Sequence, residues 1–183
     1  MSLGRVLVTG GCGCLGYHVV KQLIEGKHAA EVAVLARRPD HNLVDGAQYF
    51  KADITNRAEV DNVFAKFKPK VVIHTAASLP ATSKVNTFAV MQNVNIDGTR
   101  NVLEASQQIG TVKAFINCSS PSVVHSGAIS HVLIEAKEDL PVLRIPEQQQ
   151  PYAHTKGIAE NLVLEANGKN GVLTLSIRPA GLL

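Results

Sequence analysis

The stretch "TGGCGCLG" at residues 9–16 decides the fold of this 183-residue chain, because it places four glycines between a predicted strand and a predicted helix. The apolar run "RVLVTG" leads into it, and the helix-period segment "CLGYHVVKQLIEG" follows. The glycines form the spacings Gly11-x-Gly13-x-x-Gly16 and Gly10-x-x-Gly13-x-x-Gly16. In this context glycines permit a tight turn and let backbone amides approach a pyrophosphate at the positive end of the helix. The stretch predicts a dinucleotide-binding loop, with a purely structural glycine turn as the alternative.

The residues expected to contact the cofactor in this loop are Gly10, Gly13, Cys14, Leu15 and Gly16. Cys12 and Cys14 lack a second pair of cysteines or histidines at zinc-ligand spacing, so we expect no metal site here. The chain has three cysteines, an odd number that does not suit a disulfide framework. This composition predicts a reducing compartment.

Short apolar runs alternate with helix-period segments along the rest of the chain. The further predicted strands are "EVAVLA", "AQYFKADI", "KVVIHTA", "VKAFINCSS" and "GVLTLSIRP". The further predicted helices are "RAEVDNVFAKF", a long helix from about Phe88 through "NVNIDGTRNVLEASQQIG", and "YAHTKGIAENLVLEANG". Apolar strands separated by helices predict an α/β fold, a Rossmann-type doubly wound parallel sheet with helices on both faces. Residues 121–150 form one irregular stretch, in which His125 and His131 are candidate substrate-pocket residues.

The composition limits the class of partner. Hydrophobic residues make up 45% of the chain, which suffices for one domain with a real core. The formal net charge is +3, and aromatic residues are only 4% with no Trp, which argues against a stacking surface for nucleic acid. No signal peptide is evident at "MSLGRVLVTG", and no apolar run reaches the length of about 18 residues that spans a bilayer. We therefore expect a cytoplasmic protein that binds a small anionic ligand.

The end of the second predicted strand bears on which dinucleotide is bound. An acid usually follows this strand and holds a free ribose 2′-hydroxyl, but here the strand ends in Ala36, followed by Arg37 and Arg38. Guanidinium groups recognise phosphate, so Arg37 favours NADP, with NAD as the alternative. Asp40 could still reach the ribose, and both arginines could simply be solvated. Asp53 and Ile54, after the third strand, are candidates for contact with the adenine.

Tyr152 and Lys156 lie one helical turn apart in the pattern Y-x-x-x-K, on one face of a predicted helix. A tyrosine is a poor base at neutral pH unless positive charge lowers the pKa of its phenol. A lysine ammonium and an oxidised nicotinamide supply charge of that sign. The pair lies about 30 residues after a strand that ends in "CSS", which makes it a candidate for catalysis rather than a chance match.

Taken together, these motifs resemble those of the extended short-chain dehydrogenase/reductases. The matching stretches are "VTGGCGCLG", "ADI", "VVIHTAA", "NVNIDGTRNVLEA", "FINCSS", "YAHTKGIAENLV" and "IRPAG". The details "HTAAS", "GTRNVLEA", "RPAG" and "KEDLPV" are most similar to the branch that holds the 3β-hydroxysteroid dehydrogenases and the decarboxylating sterol-4α-carboxylate 3-dehydrogenases.

The resemblance implies a role for individual residues. Tyr152 would be the general acid/base, and Lys156 would lower the pKa of Tyr152 and hold the nicotinamide ribose. Ser120 would hydrogen-bond the reacting oxygen, with Ser119 and Ser122 as neighbouring alternatives. The other matches are expected to lie near the cofactor: Asn95 on a helix, the small residues Ala76 and Ala77, and Pro179 in a strand-end loop. His74 is expected to be satisfied locally, and His154 to be solvated.

The implied function is an NAD(P)-dependent oxidoreductase that oxidises a 3β-hydroxyl, or reduces the ketone, of a sterol-like or other hydrophobic alcohol. A nucleotide-sugar epimerase or dehydratase and a non-catalytic dinucleotide-binding protein are the alternatives. Family members continue beyond position 183, so residues 1–183 are expected to be the NAD(P)-binding domain without the substrate-binding C-terminal part, and to bind cofactor with little turnover. A homodimer through the helices that begin near Phe88 and Tyr152 is expected, and the cytosolic face of the endoplasmic reticulum is the alternative location.

Overall fold

A computed structural model describes residues 2–79, 87–126 and 137–179 of the chain. Its centre is a six-stranded, all-parallel sheet with the strand order β3-β2-β1-β4-β5-β6. The strands are β1 (Arg5–Thr9), β2 (Glu31–Ala36), β3 (Ala47–Lys51), β4 (Val71–His74), β5 (Ala114–Cys118) and β6 (Leu173–Ile177). The strand order reverses direction between β1 and β4, which is where a doubly wound sheet opens a crevice for a ligand. The predicted Rossmann-type fold is confirmed.

The helices follow the predicted segments closely. They are α1 (Cys14–Glu25), α2 (Arg57–Phe67), α3 (Phe88–Met91), α4 (Thr99–Gln108) and α5 (Pro151–Glu165), with short 3-10 helices at Pro121–Val124 and Lys169–Gly171. Local capping sets several of these ends. The side chain of Asn56 accepts a hydrogen bond from Glu59 N at the start of α2, and Pro151 occupies the first turn of α5, where its missing N–H costs nothing.

The long helix predicted from Phe88 differs from a regular helix in its middle. Residues Gln92–Gly98 between α3 and α4 adopt a π-helical conformation. Such wide turns are rare and are found mostly near functional sites. Here the wide turn carries Asn95, which is 1% exposed and faces two other elements of the site.

Two apolar clusters cover the two faces of the sheet, as predicted. One joins β-strand residues such as Leu7 and Phe115 to α2, α4 and α5, and the other joins strand residues such as Val8 and Val34 to α1. The cover thins at β6, where the side chains that point to one face are well exposed: Leu173, Leu175 and Ile177. Since β6 is an edge strand, it has a neighbouring strand on one side only.

Candidate active site

The glycine loop forms a tight turn between β1 and α1. Gly10 has φ +75°, a conformation that glycine adopts readily, and Gly13 N donates to Gly10 O over 2.9 Å. A Cβ on Gly10 would lie 2.8 Å from the backbone N and Cα of Ala76, and a Cβ on Gly16 would overlap the carbonyl oxygen of Gly10. The backbones of β1, α1 and the β4 end therefore approach one another more closely than side chains would allow. No side chain caps α1 at Gly13, so the positive end of this helix faces the crevice.

A cavity of about 230 Å³ lies on the β2 side of this loop. Its polar rim is formed by Arg37, Arg38 and His41, and its floor by Ala36 and Ile54. The remaining residues that line it are Gly10, Cys12, Gly13, Leu35, Ala52, Thr75, Ala76, Ala77 and Val94. Predicted cofactor residues thus meet in one cavity: Gly10, Gly13, Arg37, Ala76 and Ala77 line it together with Ile54. Both arginines are exposed, and Ala36 leaves the end of β2 without a carboxylate.

Asp53 does not line this cavity. Its carboxylate accepts hydrogen bonds from the backbone N and the hydroxyl of Thr55, both over 2.9 Å, and so closes the turn that ends β3. Ile54 lines this cavity, whereas the carboxylate of Asp53 has a structural partner, and the adenine contact stays a prediction.

Asp40 forms a local pair with His41 at the same rim. Its carboxylate lies 2.6 Å from Nδ1 of His41, and this hydrogen bond lowers the pKa of the fully exposed Asp40. The alternative in which Asp40 holds a ribose hydroxyl would have to break or share that contact.

A second cavity, of about 410 Å³, lies between the glycine loop and α5. The three predicted catalytic residues, Ser120, Tyr152 and Lys156, all line it. The other residues of its wall are Gly10, Gly13, Cys14, Leu15, Gly16, Thr75, Ala77, Leu79, Cys118, Ser119, Pro121 and Pro179. Folding thus places residues from distant stretches of sequence around one space, and the glycine loop belongs to both cavities.

The phenol of Tyr152 is half-buried beside Ser120. Burial raises the pKa of Tyr152, the neighbouring Cys118 raises it further, and a hydrogen bond with the Ser120 side chain opposes the rise. The Ser120 hydroxyl also lies 2.8 Å from the hydroxyl of Ser122 and accepts from Ser122 N. Of the three candidate serines, Ser120 is therefore the one that both interacts with the tyrosine and lines the cavity.

Lys156 is 2% exposed, and its ammonium donates to the carbonyl oxygen of Cys118 over 2.6 Å. Burial lowers the pKa of Lys156, while Cys118 and Glu160 oppose that shift. The lysine is directed to a backbone carbonyl, and burial is the largest cause of the raised pKa of the Tyr152 phenol. Burial likewise raises the pKa of the Cys118 thiol, with Lys156 opposing the shift.

Asn95 forms hydrogen bonds to the loop after β4 and to α5. Its Oδ1 accepts from Ser78 N over 2.7 Å, and its Nδ2 donates to Ser78 O and to the hydroxyl of Thr155, each over 3.0 Å. Every one of these bonds is internal, so Asn95 holds the loop after β4 against α5. It is not one of the residues that line either cavity, so its expected place near the cofactor stays a prediction.

Sequence reasoning missed several residues of the site. Thr75, Leu79, Cys118 and Pro121 line the second cavity, although none was predicted as a site residue; Thr75 and Cys118 lie within the matched stretches "VVIHTAA" and "FINCSS". The spacing from Lys156 to Glu160, one further helical turn, was the available signal for the buried Glu160, which pairs with Arg178 over 2.6 Å.

The histidines were predicted with mixed success. His74 is buried and satisfied by local hydrogen bonds, as expected. His154 is half-buried with its ring 6.2 Å from that of Phe88, so the expectation of a solvated side chain is wrong. His131 lies outside the described residues.

All three cysteines are free thiols. Across residues 2–79, 87–126 and 137–179, no group of three or more His, Cys, Asp or Glu side chains is arranged to hold a metal ion. Over the same residues, no helix is long and apolar enough to cross a bilayer.

With this geometry in place, comparison with known proteins gives a family. Residues 7–183 match the profile of the 3-beta hydroxysteroid dehydrogenase/isomerase family. The chain belongs to this family. Its relatives include 3beta-hydroxysteroid-dehydrogenase/decarboxylase isoform 1 of Arabidopsis thaliana, with 34% identity over 96% of the chain and 41% of the relative.

Two further relatives carry names of the same kind. The decarboxylating sterol-4-alpha-carboxylate 3-dehydrogenase of Schizosaccharomyces pombe is 33% identical over 100% of the chain and 51% of the relative. The 3 beta-hydroxysteroid dehydrogenase type 7 of Mus musculus is 35% identical over 96% of the chain and 49% of the relative. The chain spans about half the length of the curated relatives it matches.

Solved structures agree with the fold. The UDP-glucose 4-epimerase of Thermus thermophilus in complex with NAD superposes with a TM-score of 0.81 and 28% identity, over 95% of this chain and 54% of that one. The UDP-glucose 4-epimerase of Thermotoga maritima with UDP-glucose gives a TM-score of 0.76 and 26% identity, over 95% and 54% of the two chains. This chain is therefore similar in sequence to the named dehydrogenases and similar in fold to the two epimerases.

Proposed function

We propose that this protein is an NAD(P)-dependent oxidoreductase that acts on the 3β-hydroxyl, or the corresponding ketone, of a sterol-like or other hydrophobic alcohol. The observation that carries the proposal is that Ser120, Tyr152 and Lys156 line the same cavity as the glycine loop. A dinucleotide in the loop and an alcohol beside Tyr152 would then share one space. Residues 1–183 form the dinucleotide-binding unit of this proposal.

The residues present fit a dinucleotide. Gly10 and Gly16 let the loop pack closely against the end of β4 and against itself, and the uncapped start of α1 would offer its N–H groups to a pyrophosphate. Ala76, Ala77 and Ile54 line the space for the adenosine, and Cys14, Leu15 and Pro179 line the space on the nicotinamide side. These small and apolar side chains let the ligand lie close to the backbone.

NADP is the preferred cofactor in this proposal and NAD the alternative. Arg37 and Arg38 line the cavity at the end of β2, where a 2′-phosphate would lie, and no carboxylate occupies position 36. A guanidinium offers paired donors to phosphate, whereas a free 2′-hydroxyl is best held by an acid.

In this proposal Tyr152 transfers the one proton that the reaction moves between protein and substrate. In the oxidative direction Tyr152 would act as the phenolate, whose Oη accepts the hydroxyl proton of the substrate and becomes the neutral phenol, while the C–H electron pair leaves as hydride. The dinucleotide supplies the hydride acceptor and, when oxidised, a positive charge near the phenol. Ser120 holds the substrate oxygen next to Tyr152, and Lys156 contributes buried positive charge one turn along α5. In the reductive direction the protonated phenol, favoured by the raised pKa of Tyr152, returns the proton to the ketone oxygen.

The proposed substrate class rests on the residues that line the second cavity and on the names of the relatives. Leu15, Leu79, Pro121 and Pro179 give the catalytic cavity apolar sides suited to a hydrophobic alcohol. Two relatives are named as 3β-hydroxysteroid dehydrogenases and one as a sterol-4-alpha-carboxylate dehydrogenase. Conversion of a nucleotide sugar is the second candidate, because the two superposed structures are epimerases of UDP-glucose.

The decisive experiment combines binding with turnover. Dinucleotide binding to the purified chain is measured by calorimetry, and 3β-hydroxysterols or UDP-galactose are then offered with the bound cofactor. Net reduction of cofactor by a 3β-hydroxysterol supports the dehydrogenase, and conversion of the sugar without net reduction supports the epimerase. Residues 1–183 are expected to bind the dinucleotide with little turnover, so the reactions are also measured on a longer native product. Binding without either reaction in that longer product supports the non-catalytic alternative, and the absence of dinucleotide binding contradicts all three.

We also propose a homodimer through α3 and α5 and a cytoplasmic site of action. Phe88 and Leu164 are 41% and 45% exposed on these two helices, which are in contact with each other. Exposed apolar side chains on adjacent helices are suited to a partner surface. Sedimentation of the wild type and of Phe88→Glu would test this, with a shift to monomer expected in the variant.

A further inference from the structure

A series of buried hydrogen bonds starts at the end of β1, directly before Gly10. The hydroxyl of Thr9, the residue before Gly10, lies 2.6 Å from Nδ1 of His74. Nε2 of the same ring lies 2.9 Å from the hydroxyl of Thr99. All three side chains are buried from solvent, in three different elements of the fold. His74 therefore spans the distance between the end of β1 and the start of α4.

The carbonyl oxygen of Asn95 fixes the direction of the hydrogen bond between Thr99 and His74. The Thr99 hydroxyl lies 2.7 Å from the carbonyl oxygen of Asn95, which can only accept, so the hydroxyl proton of Thr99 is used there. Nε2 of His74 must then donate to Thr99. A neutral imidazole carries a single N–H, so with that proton on Nε2 the Nδ1 atom accepts from the Thr9 hydroxyl. Burial, with a contribution from Lys156, lowers the pKa of His74 to about 3, which agrees with a neutral ring.

The chain continues from Asn95 to the catalytic helix. Asn95 Nδ2 donates to the Thr155 hydroxyl over 3.0 Å, and that hydroxyl donates to the carbonyl oxygen of Tyr152 over 2.9 Å. Thr155 lies between Tyr152 and Lys156 on α5. Two sets of hydrogen bonds, one at the backbone carbonyl of Asn95 and one at its side-chain amide, therefore meet at this residue and link the strand before the glycine loop to the residue that carries the phenol.

We propose that His74 is a positioning residue that fixes the placement of the glycine loop relative to Tyr152. The inference rests on the proposed function, because it deepens the role of that same site. His74 suits this place since its ring presents an acceptor and a donor at opposite ends of one rigid side chain. A fully satisfied buried network fixes a single geometry, which apolar packing alone specifies less sharply.

The first test needs no ligand. Thr99→Val keeps the shape of the side chain and removes the hydroxyl, and Thr99→Ser keeps the hydroxyl as the matched control. Native-state hydrogen exchange should become about tenfold faster in the valine variant both at the amides of Gly10 and Thr75 and at those of residues 155–159, while α2 changes little. The serine variant should restore slow exchange at both places. A uniform change over the whole chain, or a change confined to α4, would overturn the proposal.

The second test reads the ligand geometry. Affinities are measured for NADP and for 2′-phospho-ADP-ribose, which lacks the nicotinamide. If the network aligns the glycine loop with α5, Thr99→Val loses about tenfold in affinity for NADP and little for the shorter ligand, and Thr99→Ser regains it. Equal losses for the two ligands would contradict the positioning role. If the wild type binds neither ligand, the proposed function fails, and hydrogen exchange alone then decides the role of His74.

The tautomer gives a third readout. Nitrogen-resolved NMR of the His74 ring should show the neutral form with the proton on Nε2 across the range from about pH 5 to about pH 8, which lies above its lowered pKa. A proton on Nδ1, or a charged ring in that range, would break the hydrogen-bond order and overturn the assignment.

Discussion

The carboxylate of Glu160 on α5 is held by the guanidinium of Arg178 just after β6. Nη2 of Arg178 lies 2.6 Å from Oε1, and Nε lies 3.0 Å from Oε1 and 3.3 Å from Oε2. Glu160 is 1% exposed. Arg178 also donates through Nη1 to the carbonyls of Glu138 and Leu140, over 3.3 and 3.5 Å. One ion pair thus joins α5, the end of β6 and the segment that leads into α5, and Arg178 precedes Pro179, which lines the second cavity.

Removing one partner of this pair should cost much stability. Arg178→Ala leaves the Glu160 carboxylate buried without its counter-charge, so we expect the free energy of unfolding in urea to fall by about 3–5 kcal/mol. Arg57→Ala is the matched control, because Arg57 pairs with Asp61 and Glu104 at the surface, where a loss of about 1 kcal/mol or less is expected. The double change Arg178→Met and Glu160→Met should recover most of the loss. Similar losses for Arg178→Ala and Arg57→Ala would show that the buried pair is not special.

Cofactor preference should follow the end of β2. We expect tighter binding of NADP than of NAD. Ala36→Asp combined with Arg37→Ala should reverse the order, because it removes a guanidinium that would donate hydrogen bonds to the 2′-phosphate and adds a carboxylate that would accept one from the ribose 2′-hydroxyl. A shift of about ten- to a hundredfold in the ratio of dissociation constants is reasonable for charged hydrogen bonds. Lys27→Ala, just beyond the far end of α1, serves as a charge control with an unchanged ratio. A wild type that prefers NAD or binds both equally would contradict the NADP proposal.

Tyr152→Phe should abolish proton transfer and leave the glycine loop intact. In an active form of the protein we expect turnover to fall by about 10²–10⁴-fold and the dissociation constant of the dinucleotide to stay nearly the same. Tyr49→Phe is the control, because the Tyr49 hydroxyl accepts from Val44 N near β3, away from both cavities. Retained turnover in Tyr152→Phe would mean that another group moves the proton.

Substitution of Gly16 and of Gly13 by alanine should affect different properties, the first stability and the second dinucleotide affinity. A Cβ on Gly16 would overlap Gly10 O and lie 2.7 Å from Gly11 Cα, so Gly16→Ala should destabilise the fold by about 1–3 kcal/mol or more. A Cβ on Gly13 would meet only Gly10 O, at 3.2 Å, and Gly13 lines both cavities. Gly13→Ala should therefore keep most of the stability and lose dinucleotide affinity. Thermal melting and calorimetric titration of both variants separate these effects, and the reverse pattern would be inconsistent with a dinucleotide in this loop.

His74 should make stability depend on pH. Its folded-state pKa of about 3 lies below the ordinary value of 6.5, so the unfolded chain binds the proton more readily between these two values. The stability contribution is therefore complete above pH 6.5 and is lost as the pH falls toward 3. Over that range its slope approaches about 1.4 kcal/mol per pH unit.

Urea unfolding from about pH 4.5 to about pH 7.5 measures this slope. His74→Gln should flatten it, whereas His18→Gln, on the exposed side of α1, should leave it as in the wild type. An identical slope in His74→Gln and wild type would show that the buried imidazole does not titrate as described.

The sequence alone determined the order of strands and helices, the glycine loop and the identity of the catalytic candidates. These follow from local rules: apolar runs such as "RVLVTG" form buried strands, glycines permit the turn at Gly10, and Tyr152 and Lys156 share a face because a helix repeats about every 3.6 residues. The tertiary structure decided what surrounds them. Lys156 faces the carbonyl of Cys118, Asn95 bridges Ser78 and Thr155, and Glu160 meets Arg178, since each of these contacts joins segments that only the packed sheet brings together. Burial and charge depend on those distant neighbours, so the raised pKa of Tyr152 and the neutral ring of His74 could not be derived from spacing along the chain.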